Sequence, residues 1–99
     1  MADRINSYET VAASQTAQVL GLNGAQGDFI ERLIIVPATT TPGLVTLLDG
    51  TTSIPIMVTG GTTTLVPIVV EINAHSQTGP WKITTGASVS VIAIGDFST

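Results

Sequence analysis

The chain has no cysteine, one histidine and one lysine among its 99 residues, and only three cationic residues in all. The missing cysteine removes disulfides, thiolate metal sites and thiol nucleophiles together, and leaves the redox compartment open. A lone imidazole, His75, has no second imidazole or thiolate with which to share a metal. Three cations against seven anions, a net charge of −4, argue against a nucleic-acid surface, whose affinity comes mainly from Lys and Arg. With only 10% of residues charged, long amphipathic helices lack residues for their wet face. Long apolar runs are missing too. None is longer than the run at 33–38, against roughly 20 for a bilayer-crossing helix, and residues 1–10 contain no apolar signal core. The expectation is a soluble protein made in the cytoplasm, with no membrane or nucleic-acid partner.

What the chain does contain is 43% apolar residues, ten Gly, five Pro, sixteen Thr and seven Ser. High hydrophobicity with low charge is the opposite of a disordered composition, and the length allows one domain. Residues 1–15 show no sustained period of 2 or 3.6 and read as an N-terminal arm that orders only against something else. A short N-terminal helix is the alternative. Residues 16–99 read as a single β-domain. Short strands are expected at 16–21, 29–36, 44–48, 53–58, 66–73, 81–85 and 88–97. The turns between them are Asn23-Gly24, Pro42-Gly43, Asp49-Gly50, Gly60-Gly61, Gly79-Pro80 and Gly86. Pro55 cannot donate to a ladder, so its strand is expected at an edge or bulged. The fold class is all-β: an antiparallel β-sandwich, jelly-roll-like, or a small barrel of about seven or eight strands. Trp81, Val66, Ile68, Val70, Val89 and Val91 are the expected core.

No constellation of residues carries chemistry. Ser76 or Ser88 with His75 and Asp96 could be written as a catalytic triad, but any chain this rich in hydroxyls permits that, and no nucleophile elbow is present. His75 reads as an exposed loop residue. Asp28, Glu31, Asp49 and Asp96 are too scattered for an EF-hand, and Asp28, Glu31 and Arg32 read as a surface ion pair. Gly60-Gly61-Thr62-Thr63 lacks the lysine and helix of a phosphate loop. Trp81 fits either a core residue or a sugar platform, and the chain's poverty in aromatics favours the core. No catalytic, cofactor-binding or metal residue is expected, and no enzymatic activity.

The informative feature is the missing charge. A monomer of this mass exposes about 5,300 Å², or about one charge per 530 Å², well below an ordinary soluble domain. The expectation is that copies of the chain, or a larger assembly, cover part of its surface.

Three stretches, GDFIERLIIVPATT (27–40), LDG (48–50) and GPWKITTGASVSVIAIGDF (79–97), resemble a family of small tailed-bacteriophage virion proteins. The resemblance covers most of residues 16–98, and the nearest functional analogue is the capsid decoration, or cement, protein. It implies a non-enzymatic β-protein that binds the major capsid protein lattice in many copies and stabilises the head. It further implies a homodimer or homotrimer, made in the host cytoplasm and placed on the capsid exterior. A tail or fibre module, with a host-glycan-binding β-domain as one form, is the alternative.

Overall fold

The computed structural model describes residues 7–60 and 65–99. In them the chain forms eight strands and no helix: β1 (Ser7–Val11), β2 (Gln18–Val19), β3 (Phe29–Pro37), β4 (Val45–Asp49), β5 (Thr52–Met57), β6 (Ile68–His75), β7 (Trp81–Thr85) and β8 (Val89–Asp96). Two four-stranded sheets result. Sheet A has the order β1-β8-β3-β6 and sheet B the order β2-β7-β4-β5, with every pairing antiparallel. Each strand of the first half pairs with the strand equally far from the other end: β1 with β8, β2 with β7, β3 with β6, β4 with β5. A long hairpin rolled in this way is a jelly roll, and the β3–β8 and β4–β7 pairings complete its two sheets. The all-β sandwich read from the alternation is the fold observed.

The core lies between the sheets. Leu33 and Ile35 of β3 and Val89, Val91 and Ala93 of β8 meet Val45 and Leu47 of β4 and Trp81 and Ile83 of β7, all buried. Each inward residue is separated by one outward residue, which is the period that fixes strand register. The turns sit where their chemistry requires. Asp49-Gly50 closes the β4–β5 hairpin with Gly50 at φ 61°, and its Cα packs close to Gly79. The β4–β5 register shifts beside Pro55, and β5 lies at a sheet edge, as a missing donor demands.

Three expectations need correction. Residues 7–11 are not a free arm: Ser7–Val11 pairs along its whole length with β8, and Val11 is fully buried. The following residues are also tied down, because Thr85 donates its hydroxyl to Ala12 O (2.6 Å) and accepts Gln15 N (3.0 Å). Ser7, Glu9 and Val11 do alternate inward, but only Val11 is apolar, so the period was too short and too polar to register. Residues 1–6 of the expected arm lie outside the described residues. Second, Val66 is 61% exposed and outside the core. Its strand begins only after Pro67, which has no amide to give to β3, while Ile68 and Val70 do pack against the core. Third, the strand expected at 16–21 shrinks to Gln18–Val19, cut by left-handed backbone at Ala17 (φ 48°) and Gly21 (φ 89°). Of the Gly60-Gly61 turn, Gly60 has φ 71° and Gly61 lies outside the described residues.

Candidate functional site

The polar residues singled out in the sequence are occupied with holding the fold together. Asp28 is buried and accepts Ala25 N (3.0 Å), Ser98 N (2.9 Å) and the Ser98 hydroxyl (2.6 Å), which pins the C-terminal segment to the β2–β3 loop. Asp49 is buried as well and accepts the amides of Gln77 (2.9 Å) and Thr78 (3.0 Å); the Thr78 hydroxyl donates to the Asp49 carbonyl. Burial alone pushes the Asp49 carboxyl up, but the Thr78 and Gln77 amides, the Thr78 hydroxyl and the Gly79 amide outweigh it and hold it below its ordinary 3.8. Ser76 is buried, accepting Gly27 N (2.8 Å) and donating to Ala25 O (3.3 Å). His75 is not in a loop but ends β6, exposed, its Nδ1 donating to Gly27 O (3.0 Å) and its ring 5.0 Å from that of Phe29. Glu31 pairs with Arg32 at 2.5 Å, while Asp28 takes no part. Among the described residues no group of three or more His, Cys, Asp or Glu could hold a metal ion.

Trp81 is in the core, 2% exposed, and its indole Nε1 donates to Asp28 O at 2.8 Å. This answers the choice between core and sugar platform: the ring is inaccessible to a ligand.

What the surface does offer is apolar, and it is unevenly distributed. Register places the outward residues of sheet A in rows. Tyr8, Ile94, Arg32 and Glu71 form one row, and Thr10, Ile92, Ile34 and Val69 the next; Ser90 and Val36 follow. Ile92, Ile94, Ile34 and Val36 therefore lie together on the two middle strands, with Val69 beside them on the edge strand β6. Among the described residues its single cation is Arg32, bracketed by Glu31 and by Glu71, whose Oε2 lies 3.6 Å from Arg32 Nε. The outward rows of sheet B are Val19, Lys82, Leu48 and Ser53, then Thr84, Thr46 and Pro55, a mixed and hydroxyl-rich surface. Tyr8 at one edge of the sheet A face is 72% exposed and Val69 at the other is 54% exposed.

A second apolar stretch lies outside the sheets in the β5–β6 connection, where Val58, Leu65 and Val66 are all more than half exposed; Leu22, 83% exposed, stands apart from it in the β2–β3 loop at the other end of the sandwich. Of the aliphatics on the sheet A face Val69 is exposed, while Ile34, Val36, Ile92 and Ile94 are half-buried among one another; a continuous apolar face of this kind differs from the singly scattered aliphatics ordinary on a monomer. The alternation in the sequence did place Ile92 and Ile94 opposite the core-facing residues of β8. It did not show that Ile34, Val36 and Val69 from two other strands lie beside them, because that depends on the order β8-β3-β6.

No family model matches this chain, and neither a curated protein nor a solved structure matches it.

Proposed function

We propose that the protein is a non-enzymatic structural component of a tailed-bacteriophage virion, of the capsid decoration kind, which seats on the major capsid protein lattice and stabilises the head. The observation that carries the reading is the surface. Of the ten charged residues Asp28 and Asp49 are buried, so at most eight serve 5319 Å² of exposed area, and two apolar zones interrupt it, the outer face of sheet A and the β5–β6 connection. A protein that acts by burying area needs such surfaces, and repeated seating on a lattice turns modest contacts into firm attachment. The resemblance of residues 27–40, 48–50 and 79–97 to small phage virion proteins supplies the setting. The jelly roll is compatible but does not choose, since the same architecture serves capsid and lectin domains and cupins. The glycan-binding form of the tail-module alternative loses Trp81 as a platform, because that ring is in the core.

Quantitative mass spectrometry of purified particles from the encoding phage is the test. Hundreds of copies per particle, lost from empty heads only on harsh treatment, are expected. A handful of copies would assign the chain to the tail, and none would overturn the virion reading.

A further inference from the structure

We infer that the outer face of sheet A is a self-association surface, on which a second copy of this chain packs face to face to form a two-fold homodimer. The inference concerns one face and holds whatever larger particle the chain joins, so it goes beyond the virion reading.

Size comes first. Three strands of eight or nine residues and one of five, about 4.8 Å apart, present roughly 470 Å² per copy, so stacking two faces covers on the order of 1,000 Å². That is at the lower bound for a specific interface, so the dimer is a weak and reversible one.

The pattern on the face then selects both partner and orientation. A two-fold axis parallel to the strands, passing between β8 and β3, sets β1 over the partner's β6 and β8 over the partner's β3. The row Thr10, Ile92, Ile34, Val69 then lies on its own reverse, with Ile92 over the partner's Ile34 and Thr10 over the partner's Val69. In the next row, the phenol of Tyr8 at one edge meets the carboxylate of the partner's Glu71 at the other, and Arg32 lies over the partner's Ile94. Arg32 brings its counter-charges, Glu31 and Glu71, from its own chain, so covering it strands no charge. An axis perpendicular to the strands would instead set the row containing Arg32 and Glu71 against the partner's Val36 and Ser90. The face is thus self-complementary in one orientation: aliphatic along its middle, a hydroxyl donor at one margin and an acceptor at the other. The outer face of sheet B, with Lys82 among Thr46, Thr84 and Ser53, has no such pattern.

Tyr8 and Glu71 lie three strand spacings apart in one chain, about 14 Å, and cannot meet within it. Any energetic coupling between them must cross between copies. Sedimentation equilibrium of the full chain, over about 1 to 200 μM, is expected to show a reversible equilibrium between 10.2 kDa and twice that mass. Tyr8→Glu sets two carboxylates against each other and should weaken the dimer about tenfold. Adding Glu71→Gln replaces that clash with an amide that donates to the new carboxylate, places no cation beside Arg32, and should bring the dissociation constant back to within about threefold of the original. Both positions are exposed, so circular dichroism should show the sandwich intact in each variant. A monomer throughout the range, a dimer indifferent to Tyr8→Glu, or a double variant no better than the single one would overturn the inference. Particle mass spectrometry decides the virion reading separately, since a dimer in solution and copies in a head are independent results.

Discussion

Asp49 shows how the few charges of this chain are spent. Its side chain occupies the position before Gly50 in a hairpin turn, yet it turns away to cap the Gln77 and Thr78 amides of the β6–β7 loop. Because these bonds favour the carboxylate, its folded pKa lies below the unfolded 3.8. Its contribution is therefore fully present above that value and is lost as pH falls through the lower, folded one. Asp49→Asn should cost about 1–2 kcal/mol in urea unfolding at neutral pH. It should also flatten the loss of stability that the parent shows below about pH 4, and an equally steep acid loss in the variant would refute this role. Trp81 gives a second residue-level reading. With its ring 2% exposed and its Nε1 bonded to Asp28 O, its fluorescence should resist iodide until the protein unfolds. The Asp49-Gly50 turn was legible because hairpin turns have a local signature. The bond from Asp49 to Thr78, 29 residues away, was not, because nothing local encodes which loop a carboxylate caps.

At the level of elements, strands with an apolar inward face were legible and strands without one were not. β7 and β8 carry Trp81, Ile83, Val89, Val91 and Ala93 on one side, and the alternation alone located both strands. β1 carries Ser7, Glu9 and Val11 inward, and two of those three are polar. Glu9 takes its inward place by accepting Gln18 Nε2 (2.8 Å) and Gly21 N (2.7 Å), so a carboxylate joins sheet A to the β2 region of sheet B. Glu9→Ala would leave the Gly21 amide without its acceptor and should destabilise by about 1–3 kcal/mol, read from the unfolding midpoint. Removing residues 1–11 takes away β1, Val11 and Glu9 together and exposes the edge of β8. The truncated chain should melt well below the parent or fail to fold, and an unchanged melting temperature would show β1 to be dispensable. Two glycines make a further demand. Gly43 donates to Ala87 O and Gly86 to Leu44 O, and a Cβ on Gly86 would come 2.8 Å from Gly43 Cα. Gly86→Ala must therefore push two backbones apart, at about 1–3 kcal/mol. The sequence marked both as turn residues; their mutual approach follows from the β4–β7 pairing, which no short-range pattern announces.

For the whole molecule, the balance between apolar and charged surface sets how it associates. β6, an edge strand of sheet A among the described residues, is kinked by Asn73 in left-handed backbone (φ 54°), where the β3–β6 register shifts. A bulge of this kind interrupts a flat edge and works against open-ended strand addition. The sheet A face has no such guard, and its middle rows are aliphatic. Its charges lie beside the aliphatic rows, and Arg32 is already paired within the chain. Association through this face should then draw on apolar burial, worth about 25 cal/mol per Å², and only weakly on charge. Salt separates the two sources, because ionic attraction is screened within a few ångströms at molar ionic strength whereas apolar burial is not weakened. The dimer dissociation constant should change less than about threefold between about 0.05 and 1 M sodium chloride, and any shift should favour the dimer. Protein bound to particles should likewise stay bound in molar salt. Dissociation growing steeply with salt would mean that Arg32, Glu71 and their neighbours carry the contact, and that the aliphatic rows between them do not.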